Sequence, residues 1–406
     1  MKTKLSILLF FFVISSNAQV KILFDATKAE TANNADWIID ADQFNLGYNP
    51  NPHIGGNEAN PQRFPTPDQS GITASTTQNY WKGALSAWAV DAVKQGYQVE
   101  TLPYTGQITY GNNSNVQDLA NYSIFVVCEP NILFTATEKT ALMQFVQNGG
   151  GLFMISDHNN SDRNNDNHDS PDIWNDFMQN NTVQNNPFGI TFDYAYFTEA
   201  TTNIPNIPTD PLLHGSYGAV TSVEFYGGTS MTINASQNTS VKGVVYRSAV
   251  SNTGTTGVMC AYATYGQGKV VALGDSSPAD DGTGDTNDSL YDGWIVDANG
   301  NHERLIMNAT IWLASTSLSV DAASIQNDFI VFEGQEKNQL HIRTNTINTA
   351  SCKLVLYDLS GREIFESNLF DLNTTATVLD IPSLKGLVIY QLMNNNEVLK
   401  TGKIIL

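Results

Sequence analysis

Cysteine is nearly absent: Cys128, Cys260 and Cys352 are the only three in 406 residues. Their odd number and wide spacing argue against a disulfide framework, although one pair stays open. No CxxC or Cys/His zinc spacing occurs. Basic residues are scarce too. Lys and Arg total 20 against 40 acids, a net charge of −20 that becomes −22 once an N-terminal leader carrying Lys2 and Lys4 is removed. That balance excludes nucleic acid and anionic membrane as partners, because both require a basic surface. After the first eighteen residues no apolar run is long enough to cross a bilayer. What remains is a surface-hydrated chain that tolerates or binds cations and is long enough for two or more cores.

Residues 1–18 read as a signal peptide. Lys2 and Lys4 form its charged start, Leu5 to Ile14 its apolar stretch, and Ser16-Asn17-Ala18 a small-x-small cleavage site before Gln19. The alternative, a membrane anchor, suffers from the shortness of the apolar stretch. The expected location is therefore secreted or on the outer cell surface.

From residue 19 to 314 the pattern alternates strand and helix. Apolar runs at Val20–Phe24, Gln98–Leu102, Tyr122–Val127, Leu152–Ile155 and Lys269–Leu273 have strand length. Tyr80–Gln95, a capping box opening at Thr135 and running to Gln147, Pro171–Met178 and Asn301–Leu313 read as helices. Residues 41–75 carry NPNP and FPTP and form a long loop. Alternating stretches at 185–265 predict an antiparallel extension. The fold class is α/β, a doubly wound and mostly parallel sheet. A linker at 315–326 leads to short alternating strands at 327–406, read as a separate β-sandwich.

Two resemblances follow from motifs. Leu354–Glu363 (LVLYDLSGRE), Leu379–Tyr390 (LDIPSLKGLVIY) and the terminal Lys403-Ile404-Ile405-Leu406 resemble the type A C-terminal sorting domain of the bacterial type IX secretion system. The usual Tyr-Pro-Asn-Pro near its start is replaced by Ile330–Gly334. The resemblance implies export across an outer membrane, with the secretion machinery as a partner. Gly149-Gly150-Gly151 before a strand, Asp210–Gly215 (DPLLHG), Tyr265–Ser277 (YGQGKVVALGDSS) and Asn308–Leu313 make residues 19–314 resemble the class I glutamine amidotransferase-like superfamily, in its trehalose-utilisation-type and extracellular branches. That superfamily's Cys nucleophile is missing: Ser156-Asp157-His158 stand at the elbow, so glutamine hydrolysis by that route is not expected.

The strand after Gly149–Gly151 ends in DHNNSDRNNDNHD, four Asp and two His in thirteen residues. Every parallel strand closes on a polar residue: Asp25, Glu129, Asp157 with His158, and Asp275. C-terminal strand ends converge on one crevice in this architecture, and close carboxylates favour a bound cation or a shared proton. The expected divalent metal set is Asp157, His158 and Asp275, with Asp25 as a further ligand, suiting zinc, manganese or iron. The alternative is that these acids cap helices or bond loop amides. Asp162, Asn164 and Asp166 place oxygens at alternate positions, as a calcium loop begins, but Ile173 stands where the bidentate Glu belongs. Asp280–Asp288 is a second oxygen-rich loop.

A rival chemistry has Ser156 or Ser276 attacking with His158 or His302 as base. Cys128, His53, His168 and His214 have weaker claims. The expected catalytic group is Asp157, His158, Asp275, Glu129 and His302. Trp37, Tyr48, Phe64, Tyr80, Trp174, Tyr194, Tyr196 and Trp294 are available for sugar stacking or for packing the loops. The expected function is a metal-assisted hydrolase acting on a carbohydrate or related polymer. The alternative is a non-catalytic glycan-binding or structural surface protein with calcium-stabilised loops.

Overall fold

The structure is a computed structural model that describes residues 19–32, 35–40, 44–45, 53–54, 67–284, 291–315, 329–333, 338–344, 349–358, 361–372, 377–394 and 397–406. The signal peptide at 1–18, most of the loop at 41–75 with Tyr48 and Phe64, the His53 side chain, and the linker after Ser315 lie outside them. The chain forms two compact units, Met1–Leu318 and Ser319–Leu406.

The first unit is built on nine strands: β1 (Lys21–Asp25), β2 (Gln98–Leu102), β3 (Ile124–Cys128), β4 (Gly151–Ile155), β5 (Ile190–Phe192), β6 (Met231–Ile233), β7 (Lys242–Tyr246), β8 (Val258–Tyr265) and β9 (Gly268–Leu273). Their order is β2-β1-β3-β4-β9-β8-β6-β5, with β7 also paired to β8. The first five run parallel. The rest are antiparallel, which is the extension expected at 185–265. Phe197–Thr201 and Val223–Gly228 form a separate antiparallel ribbon.

Side chains alternate across the parallel strands, so each strand feeds two cores. Ile22, Phe24, Val126, Phe153 and Val271 pack with α1 (Ser86–Lys94) and α4 (His302–Ala314). Leu23, Phe125, Leu152 and Val270 pack with α2 (Ala136–Gln147) and α3 (Ser170–Gln179). Helices on both faces make this an α/β, doubly wound fold. Trp88 of α1 locks the first face: its ring lies edge-on to Phe24 at 5.2 Å and to Phe153 at 5.1 Å, and its indole donates to Thr310 Oγ1.

Helix α2 starts where the sequence says. Thr135 Oγ1 accepts from Glu138 N while Glu138 Oε2 accepts from Thr135 N. Helix α1 starts later than Tyr80, the position the apolar periodicity gives. Tertiary contacts set the difference. The Leu85 amide donates to Ile38 O, and Asp281 Oδ2 accepts from Ala87 N and Ser86 Oγ, capping the helix from a distant loop.

The second unit is all antiparallel. A three-stranded sheet (Phe329–Glu333, Gln339–Thr344, Thr377–Asp380) and a five-stranded sheet containing Thr349–Tyr357, Leu387–Asn394 and Glu397–Ile405 share one core of Leu340, Ile342, Leu354, Leu356 and Leu392. Among the described residues no helix is long and apolar enough to cross a membrane.

Candidate functional site

Three of the four parallel strand ends named above meet. Glu129 follows β3, Asp157 follows β4 by two residues, and Asp275 follows β9 by two. All three are buried, Glu129 and Asp275 completely. Glu129 adopts a left-handed backbone, φ 48°, uncommon for a residue with a side chain. Its amide still extends the ladder to Ile155 O.

Ser276 links the acids. Its Oγ stands 3.1 Å from both Glu129 Oε2 and Asp157 Oδ2, donating to one at a time. The Trp37 indole donates to Glu129 Oε2 at 2.8 Å. Arg163 reaches in from the polar loop, with Nε 3.0 Å from Glu129 Oε1 and Nη2 3.6 Å from Asp157 Oδ2. Burial pushes the Glu129 carboxyl up to about 8, and the Asp157 charge adds to it. Burial, followed by the Asp275 charge, pushes Asp157 up to about 6. Near neutral pH the pair therefore holds one proton, as close carboxylates do. Burial would lower the Arg163 guanidinium, but the Glu129 and Asp157 charges outweigh it and keep Arg163 charged.

Asp275 is joined to the ribbon rather than to a ligand. Its Oδ2 accepts from Tyr226 N at 2.6 Å and its Oδ1 from Ser277 N at 3.0 Å; burial pushes it up to about 7. Gly274, one residue earlier, has no room for a side chain, because a Cβ would run into the carbonyl oxygen of Thr229. Gly274→Ala is expected to lower stability by about 1–3 kcal/mol, read as a lower urea midpoint.

An aromatic shelf lies beside the acids. The exposed Tyr196 ring stands edge-on to His158, with centroids 4.5 Å apart, and the exposed Tyr226 ring stacks on Tyr291 at 4.7 Å. Gly227 lies beside them: a Cβ at this position would come into van der Waals contact with Tyr196 and His158.

Other expected site residues stand elsewhere. Asp25 turns away to face Glu30. His302 is buried and held by backbone: Nδ1 donates to Gly293 O at 2.7 Å and Nε2 accepts from Glu224 N at 2.9 Å. Burial lowers its pKa, so it is a neutral fastener at the start of α4. His158 Nδ1 donates to Asn159 O, and its Nε2 is 3.9 Å from Asp157 Oδ1. Asp162 accepts the amides of Asp166 and Asn167, Asp166 accepts that of His168, and Asn164 Oδ1 accepts from Asp166 N. Ser156 is buried against Ser170, and burial holds the Cys128 thiol well above its ordinary value. His214 lies in a short two-residue ladder with Gly218-Ala219.

The metal set Asp25, Asp157, His158 and Asp275 therefore does not assemble. Among the described residues no group of three or more His, Cys, Asp and Glu side chains is placed to hold a metal ion. The physical reason is local: Arg163 already supplies positive charge between Glu129 and Asp157, and backbone amides occupy Asp275. In the second acidic loop, Asp280 accepts from Gly282 and Tyr291 amides; residues 285–290 lie outside the described ones. Of the aromatic candidates, Trp37, Trp174 and Trp294 are buried, while Tyr80, Tyr194 and Tyr196 are exposed. A cavity of about 460 Å³ opens between Gln78, Asp281, Asp292 and Trp294, apart from the acid pair.

Arg163, Tyr226 and Tyr291 escaped the sequence reading, and Trp37, expected to stack on sugar or pack a loop, instead donates to Glu129. Arg163 had a signal: it is the one basic side chain between the acids of its loop, and so a counter-charge in plain view.

No family model matches the chain, and no curated protein matches it. Among solved structures it is similar to the mmIFT52 N-terminal domain, at 14% identity and a TM-score of 0.42, over 73% of this chain and 99% of that one. It is also similar to the cytoplasmic protein STM3548 from Salmonella typhimurium, at 12% identity and a TM-score of 0.35, over 72% and 98%. Likenesses this distant carry no argument about function.

Proposed function

We propose that this chain is a hydrolase of the cell exterior, exported through the sorting domain at 327–406, and that it acts on a carbohydrate or related polymer. The observation that carries the reading is the Glu129–Asp157 pair, two buried carboxyls with Ser276 within reach of both. Such a pair offers an acid and a base side by side. Glu129, protonated up to pH about 8, gives its proton to the leaving group. Asp157, ionised above pH about 6, draws a proton from the attacking water. Arg163 steadies the charge as it moves between them. The Tyr196 and Tyr226 rings supply flat apolar faces with polar ends, which suits a sugar ring. A divalent metal, if the protein uses one, has a supporting place away from this pair, since Arg163 stands in the cation's position.

The second reading is a non-catalytic glycan-binding surface protein. It is favoured by the exposure of Tyr194, Tyr196 and Tyr226 next to acids that are themselves shut in. A panel of polysaccharides and acylated glycans, assayed for released reducing ends and acids, separates the two. Turnover is expected, and Tyr196→Ala combined with Tyr226→Ala is expected to raise KM about tenfold with kcat nearly unchanged. Glycan retention without product from any polymer would leave only the binding reading; neither retention nor product would end both.

A further inference from the structure

The cavity of about 460 Å³ beside α1 takes no part in the chemistry proposed above. Its size is that of small-molecule sites, which run from about 300 to 1,000 Å³. One wall is fixed to the core: Trp294 is buried, and its ring stacks on Trp88 with centroids 6.4 Å apart. Ala87 of α1, Ile295 and Val296 complete the apolar lining. Ile295 and Val296 are 56% and 66% exposed, two consecutive branched side chains left in water at the cavity. Apolar surface gathered at a hollow, rather than scattered, marks a place where a ligand packs.

The charged part of the lining is mostly acidic. An isolated antiparallel bridge pairs Asp281 with Asp292 and brings two carboxylates to the cavity. They are not equivalent. Asp281 is saturated: its Oδ2 accepts from Ser86 Oγ and Ala87 N, and its Oδ1 from Thr283 N and Oγ1. It is held in place and lends its charge. Burial pushes it up to about 6, so it is ionised at pH 7.5. The Asp292 carboxylate is exposed and makes no hydrogen bond or ion pair with a described residue. Lys94 is the only base among the described residues that line the cavity, and its Nζ is 3.0 Å from Asp91 Oδ1. Gln78 donates to Asp91 at 2.6 Å and to Glu303 at 3.2 Å, which keeps two further acids close by. Acid therefore outweighs base here, and the Asp292 charge is unspent.

We infer that this cavity binds a small organic cation with an aliphatic body, an alkylammonium, with its charged head at Asp292 and Asp281 and its hydrocarbon against Trp294, Ile295 and Val296. A bare metal ion would leave the apolar wall unused. An anion would meet the acids, and a neutral apolar molecule would leave Asp292 unpaired. The ammonium comes from a free amine or from the lysine side chain of a peptide; the chemistry is the same. The site stands apart from the Glu129–Asp157 pair and does not depend on the hydrolase reading.

Hexylammonium chloride titrated into the full chain at pH 7.5 and low salt, followed by ligand-detected NMR, tests this. Saturable binding is expected with a Kd on the order of 1 mM. Hexanol, which keeps the hydrocarbon and drops the charge, is expected to bind about tenfold more weakly, and hexanoate not at all. Asp292→Asn is expected to weaken hexylammonium about fivefold and Val296→Ser about threefold, whereas Asp166→Asn, in the polar loop after β4, leaves it unchanged. Asp292 and Val296 are exposed, so both variants are expected to fold, which near-UV circular dichroism checks. Acetyl-lysine methylamide separates the sources: affinity equal to that of hexylammonium supports a peptide side chain, and much weaker affinity a free amine. Undiminished hexylammonium binding in folded Asp292→Asn, equal binding of hexanol, or no saturable binding of either cation would overturn the site.

Discussion

Glu129→Gln is expected to lower kcat on any polymer substrate by a factor of about 10²–10⁴, the usual range for removing a positioned acid. Folding should survive the change. At pH 7 the wild-type carboxyl is mostly protonated, since burial carries it up to about 8, so the neutral amide replaces a neutral acid of the same shape. The amide oxygen can still accept from Trp37 Nε1, as Glu129 Oε2 does. Asp157→Asn should be as damaging to turnover, because an amide cannot act as base. In the wild type, kcat/KM should follow a bell with limbs near pH 6 and pH 8, the apparent values of the pair rather than of either residue. Folded Glu129→Gln with wild-type turnover would remove Glu129 from the chemistry, and a flat profile from pH 5 to 9 would remove the pair.

Unfolding in urea is expected to require more denaturant at pH 5.5 than at pH 8.5. Glu129, Asp275, Asp157 and Asp281 are pushed up by burial to about 8, 7, 6 and 6, whereas the unfolded chain returns them to about 4. Across that window the folded state binds more protons than the unfolded state, so stability falls as pH rises. The contribution is complete below pH about 4 and gone above pH about 8. Acids held low by hydrogen bonds, Asp118 and Glu199, act below this range. His302, whose pKa burial lowers, opposes the trend only below its unfolded value of about 6.5. The summed change is on the order of a few kcal/mol, and Glu129→Gln should remove the largest share. A midpoint constant from pH 5.5 to 8.5 would show that these acids are not buried in the folded protein.

Local signals carried most of the fold. Strand-length apolar runs, the Thr135–Glu138 capping box and the Gly149–Gly151 turn act within a few residues, so β1, β3, β4, β9 and α2 lie where the pattern puts them. Helix α1 does not, because Ile38 and Asp281 decide its start, and no local window contains them. The site divides in the same way. A polar residue at each parallel strand end was legible, and it located Glu129, Asp157 and Asp275. The fate of each carboxylate was not, because rotamers and partners decide it. Asp25 lies on the strand next to Glu129's, yet it turns to Glu30. Asp275 holds the Tyr226 amide, from a ribbon whose pairing spans residues 197–228. His302 looked like a base because it opens a helix near the crevice; the carbonyl of Gly293 and the amide of Glu224 explain its presence instead.

Trp37 gives the two buried acid pairs a common fastening. Its main chain is tied to the Asp25–Glu30 pair through Glu30 O, and its ring to Glu129 of the other, so a shift of that single residue reaches both. Energies assigned to Glu30 and to Glu129 by separate substitutions will therefore not sum, and only a four-corner comparison of both singles, the double and the parent can divide them. The chain thus treats two clusters a hundred residues apart in sequence as one mechanical unit, and a variant chosen to probe either one also reports on its neighbour.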